Sequence, residues 1–148
     1  NFLWSCTICN RYKGNRFPPD TEPGDQILNP MEDDPWEFFF LDQFGLLTPL
    51  YDSSAGMPNP RAVSTRDILK LNRDALQESR HSRLLDLKKR ASELIEQYRS
   101  GTKTTTQIAK EVENLIQQPF KSDVADYSLR GPATHEEPFK TLLETINE

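Results

Sequence analysis

A run of apolar residues with helical spacing dominates the middle of the chain. Apolar residues recur every three or four positions, as Leu84, Leu87, Ala91, Leu94 or Ile95, and Tyr98. This period predicts a long amphipathic helix with one apolar face. Ser100-Gly101 predicts its end, because glycine accepts the left-handed backbone that often terminates helices. We expect the apolar face to lie in a core or against a partner helix.

Other segments complete a mostly helical α+β prediction. Helices are expected at residues 5–14, from Ser64 onwards, from Thr104 or Thr105 to Gln118, and from near Thr134 to Ile146. Ser64 with Asp67, and Thr134 with Glu137, have the spacing of capping boxes, in which a side chain at each position bonds the other's backbone. Phe139, Leu142, Leu143 and Ile146 should line one face of the last helix.

A β-hairpin is expected between the acidic loop and the helices. Residues 37–41 are rich in strand formers, residues 42–45 offer turn chemistry, and residues 46–51 can return. Pro49 lacks a backbone N–H, which places the second strand at an edge. Phe38, Phe39 and Phe40 point to alternate faces, so both faces of the first strand must be covered.

The net charge of -5 hides an uneven distribution along the chain. Up to Arg16 there are three bases and no acid, and from Phe17 to Pro60 there are nine acids and no base. Residues 61–103 carry eleven bases against six acids, and the remainder carries four bases against eight acids. The two basic segments are compatible with phosphate contact, so the overall sign does not exclude a nucleic-acid partner. The polar face of the long helix, which includes Arg73 and Arg80, is expected to be solvated.

Length and cysteine content limit the class of protein. A chain of 148 residues has room for one modest core. It contains no apolar run of roughly 18 residues, as a membrane-spanning helix requires, and no basic-then-apolar leader. Two cysteines cannot form a multi-bridge scaffold, which favours a reducing, cytoplasmic setting without membrane contact.

The two cysteines form a Cys-x-x-Cys pair at Cys6 and Cys9. Two thiolates with this spacing at the head of a helix can share one zinc ion, but a structural zinc site needs four ligands. A redox pair is an alternative, although it should follow a strand in a βαβ unit, and two incidental cysteines are another. His81 and His135 lie far away in the sequence and are expected to be solvated.

The first residues resemble a known motif. The pattern Asn1-Phe2-Leu3, then Cys6-x-x-Cys9-Asn10-x-x-Lys13-Gly14, resembles the second half of the ββα-metal motif of HNH endonucleases. Further similarity to the HNH nucleases of retrons and related bacterial defence systems is seen at Leu28-Asn29-Pro30, Asp33-Asp34-Pro35 and residues 64–73. The resemblance covers roughly the first eighty residues and implies hydrolysis of nucleic-acid phosphodiester bonds, with DNA the favoured substrate.

The resemblance implies a role for each matching residue. Asn1 would fix the loop that carries the catalytic histidine, and Asn10 would be a catalytic residue that ligates a divalent cation, typically Mg²⁺. Cys6 and Cys9 would be half of a structural zinc site. The side chains expected to contact the phosphate backbone are Arg11, Lys13 and Arg16.

The match also departs from the family. The family's general-base histidine precedes the middle Asn, and this sequence begins at that Asn. We therefore expect the histidine, the first strand and two zinc ligands upstream in a longer protein, and an inactive fragment. The expected regions are residues 1–16 for the half motif, 17–60 for the acidic loop and hairpin, and 61–148 for the helical part. The alternative is a non-catalytic module that docks a partner, such as a defence-system protein, through the hairpin phenylalanines and the helical stripe.

Overall fold

The computed structural model describes residues 7–14, 27–29, 32–117 and 137–147. The helices are α1 (Thr7–Lys13), α2 (Pro60–Ile68), α3 (Asp74–Arg99), α4 (Thr105–Gln117) and α5 (Phe139–Asn147). The strands are β1 (Phe39–Leu41), β2 (Leu47–Pro49), β3 (Tyr51–Asp52) and β4 (Met57–Pro58), and Pro35–Glu37 forms one 3₁₀ turn. The mostly helical α+β class is confirmed.

The predicted hairpin is formed by β1 and β2, which pair antiparallel with Phe39 opposite Pro49 and Leu41 opposite Leu47. The Asp42 carboxylate organises its turn by accepting from the backbone N–H groups of Phe44 and Leu46, at 2.9 and 2.8 Å. A second small hairpin, β3 and β4, follows at once. The sequence prediction missed it and extended the returning strand through Tyr51.

Helix α2 begins earlier than predicted. Asn59 is its N-cap and accepts from the N–H of Ala62 at 3.2 Å, and Pro60 occupies the first helical position. The predicted start at Ser64 was wrong, since Ser64 lies inside the helix. Its neighbour Thr65 is buried and accepts from the N–H of Leu28 at 2.8 Å. The start signal was the Asn-Pro pair rather than the Ser64–Asp67 spacing.

Helix α3 spans two hydrophobic clusters, and the predicted apolar stripe is confirmed. Near its N-terminal half, Leu84 packs with Leu41 of the hairpin. Its C-terminal half joins α4 and α5 in the larger cluster, whose buried members are Leu87, Ala91, Leu94, Ile95, Ile108, Val112, Phe139 and Leu142. One face of one helix therefore connects the hairpin to the C-terminal helices.

Helix α4 lies within one residue of its predicted bounds, and α5 buries residues of its predicted face. Thr104 and Gln107 form reciprocal capping contacts at the start of α4, with Gln107 accepting from the N–H of Thr104 at 2.9 Å. Phe139 and Leu142 of α5 are buried. Glu137 lies in the turn before α5, and Thr134, its predicted capping partner, lies outside the described residues. Among the described helices, none combines the length and hydropathy that a membrane crossing needs.

Lys70 ends α2 in a conformation that usually belongs to glycine. Its φ is +50°, and the N–H of Leu71 donates to the Arg66 carbonyl at 2.9 Å, the bond that closes a Schellman turn. We expect Lys70→Gly to raise the free energy of unfolding by about 0.5–1 kcal/mol, because relief of left-handed strain exceeds the added unfolded-state entropy. Urea denaturation measures this change. Lys70→Ala keeps the strain, so a glycine variant less stable than the alanine variant would contradict the prediction.

Candidate functional site

Helix α1 carries the candidate residues on two different sides. Cys9 is half-buried and its sulfur faces the connection between α2 and α3, whereas Asn10 and Arg11 are exposed. At 100° per residue, the Arg11 side chain points almost opposite to Cys9, and Asn10 points about 100° away from it. Gly14 ends the helix with φ +52°, as predicted. The candidate cation ligand and one candidate phosphate contact are therefore open to solvent.

Arg73 joins the Cys9 side of α1 to the rest of the fold. Its Nη1 and Nη2 donate to the Cys9 sulfur at 3.5 and 3.6 Å. Nη1 also donates to the carbonyls of Leu69 and Lys70, both at 3.3 Å, at the C-terminal end of α2. A cation is favourable at that end because the last carbonyls carry partial negative charge. Arg73 is therefore placed between two electron-rich partners, the α2 carbonyls and the sulfur.

Arg80 is partly buried near Arg73 and has a lowered pKa. It donates from Nη1 to the Gly45 carbonyl at 2.9 Å and from Nη2 to the Leu71 carbonyl. Burial is the main reason that the pKa of Arg80 falls to about 10; the charge of Arg73 also lowers it, and the Cys9 sulfur raises it. Repulsion from Arg73 is therefore secondary to burial in lowering the pKa of Arg80.

Arg73 and Arg80 correct a sequence prediction. Both were assigned to the solvated polar face of the long helix, but Arg73 precedes α3 and contacts Cys9, and Arg80 is partly buried beneath the hairpin turn. Arg80 falls on the face that continues as the apolar stripe, because Leu84 and Leu87 lie four and seven residues further along. The sequence spacing indicates the helix face on which Arg80 lies, but it does not indicate which acceptor atoms the two arginines contact.

His81 also differs from its prediction. Its Nδ1 lies 2.8 Å from the Gln43 carbonyl, and its ring stacks on Phe44 with 6.4 Å between centroids. It is half-buried against the hairpin turn rather than solvated. Together with Arg80, it fastens the turn to the start of α3.

The segment before the hairpin is tied to α2 by a bidentate ion pair. Arg61 donates to both carboxylate oxygens of Asp33, at 3.0 and 2.6 Å, and its guanidinium lies 5.7 Å from the centre of the Phe38 ring. The hydrogen bond from Arg61 is the main reason that the pKa of the Asp33 carboxyl is lowered. Asp33 also accepts from the N–H of Asn29 at 2.6 Å. The Asn29 and Asp33 positions, which belong to the resemblance, therefore hold this segment against α2.

The described residues include one possible ligand for Mg²⁺, Asn10, and one for zinc, Cys9. An amide oxygen such as that of Asn10 suits Mg²⁺, which binds through one or two protein ligands plus water and phosphate. The Cys9 sulfur suits zinc, because N–H donors stabilise the thiolate that binds it. In the part of the chain that the structure describes, no three His, Cys, Asp or Glu side chains cluster as a metal site. Each residue therefore fits as one ligand of a larger set.

The remaining predicted residues divide into two groups. Lys13 is half-buried, on the same side of α1 as Cys9, so it is less open to a phosphate than Arg11. Three predicted residues lie outside the described residues, namely Asn1, Cys6 and Arg16. His135 lies outside them as well.

Searches against protein-family models, curated proteins and solved structures returned no match for this chain.

Proposed function

We propose that this chain is part of an HNH-type endonuclease that hydrolyses nucleic-acid phosphodiester bonds, with DNA as the favoured substrate and bacterial defence as the setting. The observation that carries the proposal is the two-sided arrangement of α1. Cys9 is held from one side by Arg73, while Asn10 and Arg11 are exposed on others. A motif helix that must present a cation ligand to a duplex needs this division between an anchored side and an open side.

Each exposed residue has a separate role in the proposal. A divalent cation, when bound, stabilises the charge that develops on the scissile phosphate. The exposed Asn10 amide oxygen would supply one ligand to that cation from the middle of α1. Arg11 contacts a backbone phosphate, which gives affinity without sequence information. Cys6 and Cys9 belong to a structural zinc site that stiffens the motif.

The docking module remains the alternative, but Phe39 and the helical stripe are buried inside the chain, and Phe38 and Phe40 are half-buried. Phe39 is 3 % exposed, and the stripe of α3 packs against α4 and α5. These side chains stabilise the chain's own clusters. The nuclease is therefore the function that the arrangement of α1 supports best.

Plasmid nicking with Mg²⁺ by the full-length natural protein tests the proposal, because the resemblance places the general base before Asn1. We expect Asn10→Ala to lower the nicking rate by roughly 100-fold or more, since the cation loses a direct ligand. Asn10→Asp keeps an oxygen donor and should retain more activity than Asn10→Ala.

Thr7→Ala is the matched control, because it changes another exposed position of the same helix. It should nick at the wild-type rate. Equal rates for Asn10→Ala and the wild type would contradict the metal role of Asn10. Absence of metal-dependent nicking by the wild-type protein would contradict the nuclease proposal itself.

A further inference from the structure

Arg73 occupies a helix-capping position where the fold alone would favour a different residue. Helix α3 begins at Asp74, and Arg73 occupies its N-cap position without a side-chain capping bond. A cation at a helix N-terminus is unfavourable, because the first N–H groups carry partial positive charge. Asp, Asn, Ser or Thr would serve better as a cap. The side chain at this position instead reaches from the α2 carbonyls to the Cys9 sulfur.

The contact with Cys9 is suited to a sulfur that carries negative charge. Both terminal nitrogens of Arg73 point their N–H groups at the sulfur, at 3.5 and 3.6 Å. A neutral thiol is a weak acceptor, whereas a thiolate accepts charge-assisted bonds.

The Arg73 side chain is itself fixed in place. Its Nη1 is shared between the sulfur and two carbonyls of residues 69 and 70, which belong to the Schellman turn that ends α2. The same connection is tied to the hairpin, because Asn72 both accepts from the N–H and donates to the carbonyl of Leu47, at 2.9 Å each. A donor anchored in this way can set the direction of the sulfur lone pairs on α1.

We propose that Arg73 is a positioning residue for the zinc site, orienting the Cys9 thiolate and compensating its charge. This inference rests on the proposed function, because it requires Cys9 to be a zinc ligand. Groups that hydrogen-bond to metal ligands commonly change metal affinity by about 10–100-fold. Arg73 lies 64 residues from Cys9 in the sequence. The stability of the zinc site would therefore depend on the α2–α3 connection.

Zinc affinity of the full-length natural protein, measured by competition with a chromophoric chelator, tests the inference without any reading of activity. We expect Arg73→Ala to weaken zinc binding by about 10–100-fold. Arg73→Lys should fall between that variant and the wild type, because an ammonium keeps the charge but loses the two-pronged donor geometry. In the Co²⁺-substituted protein, the sulfur-to-cobalt absorption band should shift in Arg73→Ala.

Asn72→Ala is the matched control for folding. It removes both bonds to Leu47 and loosens the same connection, but these bonds join Asn72 to the hairpin and not to Cys9. Its zinc affinity should fall much less than that of Arg73→Ala, because Arg73 and its donors to the sulfur remain in place. An equal loss in Asn72→Ala and Arg73→Ala would overturn the positioning role, because the loss would then follow from the connection alone.

The remaining outcomes separate the inference from the proposed function. Wild-type zinc affinity in Arg73→Ala would overturn the inference and leave the zinc site intact. A wild-type protein that binds no zinc would overturn both the zinc site and the role of Arg73. A protein that holds zinc and loses it in Arg73→Ala, but does not nick DNA, would support the inference while contradicting the nuclease.

Discussion

Gly45→Ala is expected to lower the free energy of unfolding by about 3–5 kcal/mol, a large part of what a small domain possesses. Gly45 has φ +83°, which alanine adopts only with strain. A methyl group there would also lie 2.9 Å from the His81 backbone nitrogen and closer still to the Gln77 carbonyl oxygen. Both atoms belong to the backbone of α3, so neither can move aside without displacing the helix.

The measurement is urea denaturation followed by circular dichroism, and two other glycines serve as controls. Gly56 and Gly101 have similar φ values, +66° and +71°, but a methyl group at Gly56 would meet only the Tyr51 hydroxyl at 3.9 Å and one at Gly101 would meet nothing within 4 Å. Alanine at these positions should cost about 1 kcal/mol, from the backbone alone. If Gly45→Ala cost no more than Gly101→Ala, the close approach of hairpin and helix would be refuted.

The packing at Gly45 matters for the candidate site because it fixes the start of α3. Arg80 donates to the Gly45 carbonyl and also to Leu71, which belongs to the connection between α2 and α3. Arg73, in the same connection, contacts Cys9 of α1. The hairpin turn, the connection and α1 are therefore linked by two arginines, and a displaced hairpin should disturb Cys9 through them.

Local signals predicted the parts of the fold that depend on neighbours in the sequence. The hairpin follows from the Asp42–Gly45 turn, where one carboxylate accepts from two backbone N–H groups. The end of α3 follows from Gly101, whose φ is +71°. The α3 stripe follows from its period, which is confirmed by the burial of Leu84, Leu87 and Ala91.

The candidate site was less predictable, because its contacts join distant segments. Charge pattern alone places an arginine of a helix in solvent, and nothing local shows that Arg73 meets a cysteine 64 residues away. The predicted start of α2 at Ser64 was wrong for a different reason, because the local signal was the Asn59-Pro60 pair five residues earlier. The Arg73 contact depends on a tertiary acceptor, whereas the start of α2 does not.

Leu94→Ala is expected to lower the free energy of unfolding by about 3–4 kcal/mol, the second large effect. Leu94 is fully buried in the cluster that joins α3 with Ile108 of α4 and Phe139 of α5. Truncation to alanine loses the free energy of burying the branched end of the side chain. It also leaves a cavity that the three packed helices cannot fill. Phe139 and Leu142, the buried residues of the described part of α5, both belong to this cluster, so the C-terminal helix should be affected most.

Leu85→Ala is the matched control, because the same residue type on the same helix is 54 % exposed. It should change the free energy of unfolding by less than about 0.5 kcal/mol. Urea denaturation of both variants gives the comparison, and hydrogen exchange should show faster exchange in α4 and α5 of Leu94→Ala than in the hairpin. Similar free energies for the two variants would contradict the assignment of Leu94 to the core, and with it the conclusion that α3 connects the candidate site to the C-terminal helices.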